Sequence, residues 1–130
     1  MQSPTIQTYF LILFSVASSA AAQLLLKIGM SQNAAPAAHS AGSILASLVL
    51  IAQNVWVVGG LALYFFSALV WLKVLAKVEL SFAYPFVGLG FVMTMLLGKF
   101  VLDENVSLQR LAGTLCVVLG ILFIAMDKNR

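Results

Sequence analysis

Apolar residues fall into four long blocks along this chain, separated by short polar stretches. About 20 apolar residues at 1.5 Å rise cover the roughly 30 Å hydrocarbon core of a bilayer. The blocks therefore predict membrane-spanning helices at residues 9–29, 55–76, 80–102 and 108–126. From Leu80 to Gly98 no charged residue interrupts the third block. Residues 31–42, SQNAAPAAHSAG, are polar, with Pro36 inside and glycine at the end, and read as a loop. Residues 43–53 are apolar for only half a span, which suits an interfacial helix or an extension of the second span, and Gln53 and Asn54 mark the break. The connection at residues 77–80 is short, so the second and third spans are expected to be antiparallel neighbours. Residues 9–23 pair an apolar core with small residues, as a secretory signal does. Because residues 1–8 hold no Lys or Arg, a retained span is expected instead.

Composition sharpens this to an all-α integral membrane protein of four transmembrane helices. Charged residues make up 8% of the chain and hydrophobic ones 62%, against the roughly 25% charged of soluble domains. The net charge of +3 comes from seven basic residues spread along the sequence, so no basic patch invites nucleic acid. Cys116 is the single cysteine and His39 the single histidine. With no metal-ligand cluster, and no nucleophile paired with a base, neither a metal site, a cofactor nor a catalytic centre is expected. Four spans put both termini on one side, which carries Lys73, Lys77, Lys128 and Arg130 against Lys27, Lys99 and Arg110 on the other. That bias favours cytoplasmic termini.

The candidate chemistry lies in polar side chains within the apolar blocks. Ser15, Ser19 and Gln23 recur at i, i+4 and i+8 and share one helix face. Hydroxyl and amide groups bared to hydrocarbon cost several kcal/mol, so this face should meet another helix or line a wet groove. Tyr64, Ser67 and Trp71 form a second stripe, read either as packing or as a ligand wall. Pro85 removes a backbone donor near the start of the third span, beside the hydroxyls of Ser81 and Tyr84. Gly90, Thr94 and Gly98, and in the last span Gly113, Cys116 and Gly120, are small residues at helical spacing. Both series suit close contact between helices and are candidates for a dimer interface. Asp103 is placed to end one helix and Asn105 or Ser107 to cap the next.

Three segments carry a family resemblance: AAAQLLLKIGM at 20–30, ALVWLKVLAKVELSFAYPF at 68–86 and DENVSLQRLAGTLCVVLGILFI at 103–124. Within them, S-x-A-Y-P at 81–85 and an acidic residue, Glu104, followed by V-S-x-x-R-x-x-G at 106–113 resemble the four-helix members of the drug/metabolite transporter superfamily. The likeness is to the EamA-like subunits that flip aminoarabinose-phosphoundecaprenol and, more distantly, to the small multidrug resistance transporters. It implies a small-multidrug-resistance-like bundle, too small to enclose a path alone, working in the bacterial inner membrane as a homodimer or as a heterodimer with a paralogous four-helix subunit. Small multidrug resistance transporters carry a glutamate eight residues before the lysine matching Lys27; here that position is Ser19, and all four acidic residues lie at predicted span ends. Proton-coupled exchange needs a titratable group inside the membrane, which counts against it here.

Three functions follow from these residues. The first is translocation of a polyprenyl-phosphate-linked sugar. Ser15, Ser19, Gln23, Tyr64, Ser67 and Tyr84 would line the groove, Lys27, Lys99 or Arg110 would hold the phosphate, and Glu104 would meet one of these cations or an amino group on the sugar. The second is export of hydrophobic cations or small metabolites, with Tyr64, Trp71 and Tyr84 as aromatic faces. The third is a non-transporting membrane subunit that holds a partner enzyme through the Gly113, Cys116 and Gly120 seam.

Overall fold

The computed structural model describes residues 5–39 and 44–126, which form five helices and no strand. They are α1 (Ile6–His39), α2 (Ile44–Gln53), α3 (Val55–Leu75), α4 (Leu80–Val101) and α5 (Leu108–Ala125). α1, α3 and α4 are each long and apolar enough to cross a membrane. At 18 residues, α5 reaches roughly 27 Å, close to a bilayer core. α2, with ten residues, cannot span. The chain is an all-α, multi-pass membrane protein of about four spans.

The expected loop at 31–42 is corrected in part, because α1 continues to His39. Ala34, Ala35, Ala37 and Ala38 are the best helix formers, and they outweigh the polar residues and Pro36 that suggested a loop. The remainder of that linker, 40–43, and the charged tail at 127–130 lie outside the described residues.

Helix boundaries follow from local chemistry. Asn54 breaks α2 from α3 and caps α3, its side-chain oxygen accepting from the backbone N–H groups of Trp56 at 2.9 Å and Val57 at 3.3 Å. Its amide also donates to the Gly29 carbonyl of α1 at 3.2 Å. Ser107 caps α5 by accepting from the Arg110 N–H. Asp103 ends α4 with φ of 54°, the left-handed region that Asp tolerates better than most residues. This turn brings the Glu104 N–H back to the Gly98 carbonyl at 3.0 Å.

α1 is the central helix, packed extensively on α3 and also on α4. Two glycines let α1 and α3 close up. A Cβ on Gly60 would stand 2.9 Å from Leu26 Cγ and 3.1 Å from the Ala22 carbonyl oxygen, and one on Gly29 would stand 2.6 Å from Val57 Cγ2. Ser67, 4% exposed, adds a hydrogen bond across the seam, donating to the Ser15 carbonyl at 2.7 Å. α5 packs on α4 alone, with Val117 and Ile121 over Gly88.

The sequence expectation for α3 and α4 needs correction. They are joined by a tight turn but barely touch along their lengths, because α1 lies against both. Where they do meet, at the end nearest the chain termini, Ile12, Val74, Phe82 and Ala83 form the buried core, with Leu11, Trp71, Leu75 and Phe86 around it. Tyr9, Phe82 and Phe86 add edge-to-face ring contacts at 5.2–6.1 Å. Away from this plug the two helices part, and the gap is the site.

Candidate functional site

A groove of about 260 Å³ lies between α3 and α4 with α1 as its floor. Small-molecule sites run roughly 300–1,000 Å³, so the space suits a small head group. The floor is the polar face of α1, with Ser15, Ser19 and Gln23 all lining it. Tyr64, Ser67 and Trp71 form the α3 wall, and Tyr84, Val87, Phe91 and Thr94 the α4 wall. The aromatic rims at Tyr64, Tyr84 and Phe91 are exposed, so the groove is open along its side. Ser81, beside Pro85, is not among the lining residues.

The polar atoms divide into spent and available groups. The Ser15 hydroxyl donates to the Ile12 carbonyl at 2.9 Å, Ser67 is committed to the Ser15 carbonyl, and Thr94 donates to the Gly90 carbonyl at 2.9 Å or that of Phe91 at 3.1 Å. Of these, the Ser67 bond ties α3 to α1, whereas those of Ser15 and Thr94 close on their own helices. Gln23 is exposed and lines both this groove and a second cavity, which it shares with Lys27, Thr94, Gly98 and Glu104. From Ser15 to Lys27 the α1 floor therefore runs twelve residues, roughly 18 Å at helical rise, from the aromatic plug to the charged end.

That end gathers charges from three elements. Lys27 on α1 and Glu104 in the α4–α5 connection form an ion pair at 3.6 Å. Glu104 also lines a third cavity, between α4 and α5, together with Arg110, Thr94, Met95 and Thr114. Lys99 lines none of the three cavities. Among the described residues no charged side chain lines the main groove, so the site has an uncharged hydroxyl, amide and aromatic section followed by a charged end. Among the described residues no cluster of His, Cys, Asp or Glu is placed to hold a metal ion.

The small-residue series differ in what they meet. Gly90 and Thr94 line the groove, Gly90 facing Val16, and Gly98 faces the Glu104 carboxylate. On α5, a Cβ at Gly113 or Gly120 would meet nothing within 4 Å, and Cys116 is exposed. Among the described residues nothing packs against these positions, although Gly113 also borders the cavity between α4 and α5. Sequence reasoning missed Val87 and Phe91 as wall residues. Their signal is the spacing Tyr84, Val87, Phe91, Thr94, at i, i+3, i+7 and i+10, which sets all four on one face.

A side-open groove with a polar floor thus lies within a bundle of about four membrane helices. Comparison with known proteins supplies the family. A probable 4-amino-4-deoxy-L-arabinose-phosphoundecaprenol flippase subunit ArnE of Sodalis glossinidius is 32% identical over 119 residues, covering 92% of this chain and 97% of that protein. The chain belongs to this family. The Proteus mirabilis protein of the same name is 32% identical over 73 residues, 56% of this chain, and that of Pseudomonas paraeruginosa 45% identical over 51 residues, 39% of this chain. These matches span 65% and 44% of the relatives' own lengths. No family model and no solved structure matches the chain.

Proposed function

We propose that this chain is a subunit of a translocator that carries the head group of a polyprenyl-phosphate-linked sugar across the bacterial inner membrane while the lipid tail stays in the bilayer. The observation that carries this is the uncharged, laterally open groove leading to a charged end. A sugar offers hydroxyls to Gln23, Ser19 and Tyr84 and C–H faces to Tyr64 and Trp71. Its phosphate needs cations, which Lys27 and Arg110 supply at the groove's end. The open side between α3 and α4 leaves the polyprenyl chain in lipid, so no room for it is required inside the protein. The relatives' names, which specify an aminoarabinose-phosphoundecaprenol flippase subunit, support the same substrate class.

The word subunit in those names also supports an assembly. The α5 face at Gly113, Cys116 and Gly120 is the seam for a second copy or a paralogous four-helix subunit, since small residues there allow backbones to approach. Termini in the cytoplasm follow from the distribution of basic residues. Export of hydrophobic cations is less well supported, because among the described residues no carboxylate lines the groove.

Proteoliposomes holding the purified chain test the proposal. Polyprenyl phosphates with and without a sugar are supplied, with a hydrophobic cation as the parallel substrate. Sugar-carrier translocation without cation uptake is expected. Cation uptake alone would replace the proposal with the exporter reading.

A further inference from the structure

The Lys27–Glu104 pair has features of an occupied binding site rather than of a structural tie. Its 3.6 Å separation is too long for a charge-assisted hydrogen bond, and the two side chains are 61% and 42% exposed. Such a pair contributes little to stability. Yet the carboxylate is positioned with care. The left-handed turn at Asp103 and the Glu104 N–H to Gly98 carbonyl bond fix its backbone, and Gly98 leaves space for the side chain, a Cβ there standing 3.0 Å from Glu104 Oε2. Glu104 thereby stands in the notch shared by two cavities, one holding Lys27 and the other Arg110.

We infer that Glu104 is an internal stand-in for a phosphate: its carboxylate occupies the subsite at Lys27 and Arg110 when no lipid phosphate is there, and yields it when one arrives. This deepens the translocator proposal and rests on it for the source of the phosphate. A carboxylate and a phosphate present similar oxyanions to an ammonium, but the phosphate has more acceptor oxygens to offer Lys27 and a further donor at the notch. Exchanging a loose ion pair for a closer one makes binding favourable. Return of Glu104 to Lys27 then helps the head group leave, which a carrier needs as much as it needs capture. The exchange also unties α1 from the α4–α5 connection, the only elements the pair joins.

The test is binding of farnesyl phosphate, with farnesol as the uncharged comparison, to the full chain in lipid nanodiscs. Because the competitor is a partly exposed pair, its removal in Glu104→Gln should tighten farnesyl phosphate by about threefold, and by less than about tenfold. Farnesol binding should stay the same. Lys27→Gln should weaken the preference for the phosphate to what Arg110 supplies, and adding Glu104→Gln to it should bring no further gain. Gly98→Ala, which presses on the carboxylate at 3.0 Å without removing charge, should move binding in the same direction by less than Glu104→Gln does. Unchanged or weaker phosphate binding in Glu104→Gln, a gain that persists without Lys27, or no phosphate preference in any variant would each overturn the inference. Phosphate tightening without sugar-carrier flux in proteoliposomes would overturn the translocator proposal alone; flux without tightening would overturn the stand-in alone.

Discussion

Replacing Gly29 by alanine puts a methyl carbon 2.6 Å from Val57 Cγ2, 3.0 Å from the Val57 backbone nitrogen and 3.1 Å from Asn54 Oδ1. Carbon atoms rest at roughly 3.5–4.0 Å, so α1 and α3 must part by about an ångström at this point. The neighbours have little freedom to yield. Val57 is β-branched and stiff in a helix, its nitrogen is fixed in the backbone, and the Asn54 oxygen is held by the cap of α3. Overpacking of this kind costs about 1–3 kcal/mol, and a backbone obstacle points to the upper part of that range. The helical preference of alanine over glycine returns up to about 1 kcal/mol, leaving Gly29→Ala less stable by roughly 2 kcal/mol. Gly59→Ala is the control, because a Cβ there meets nothing within 4 Å. It gains the propensity term alone. Unfolding from mild micelles by added sodium dodecyl sulfate, followed by tryptophan fluorescence, should separate the two variants by about 2–3 kcal/mol. Equal stability of the two would show that α1 and α3 do not close up at Gly29.

Ser67→Ala removes the hydrogen bond to the Ser15 carbonyl and should lower stability in the same titration by about 0.6 kcal/mol, and by no more than about 1.7. Asn54→Ala loses both the cap of α3 and the tie to Gly29, for about 1–2 kcal/mol; a circular-dichroism melt of the variant checks this. Lys27→Ala should reduce sugar-carrier flux in proteoliposomes by about tenfold through a lost charged contact, while its unfolding midpoint stays near that of the parent, since the pair it breaks is exposed.

Much of the groove was legible because helical periodicity is a local property. The i, i+4, i+8 series of Ser15, Ser19 and Gln23 and the i, i+3, i+7 series of Tyr64, Ser67 and Trp71 each define a face without reference to the rest of the chain. The structure brings these two faces and Tyr84 to one groove. The break at Asn54 and the cap at Ser107 were legible for the same reason. Relations between helices were not. Nothing local distinguishes Gly29 and Gly60, which carry the α1–α3 seam, from the exposed Gly59. A short turn implied that α3 and α4 pack together, whereas α1 occupies the intervening side and leaves them parted. Glu104 could be assigned a cation only in general terms; its pairing with Lys27 depends on the backward turn at Asp103, where an aspartate takes a conformation usually left to glycine. The extension of α1 was hidden because Pro36 and the polar residues around it mask a run of alanines.

On the proposed function, the head group moves through the groove between α3 and α4. Gln23→Cys in a Cys116→Ser background places a thiol on the groove floor where the side chain is exposed. Reaction with a bulky maleimide should abolish sugar-carrier flux, and the lipid-linked sugar should slow that reaction. Full modification at this position with undiminished flux would contradict the account, because the path would then have to run elsewhere.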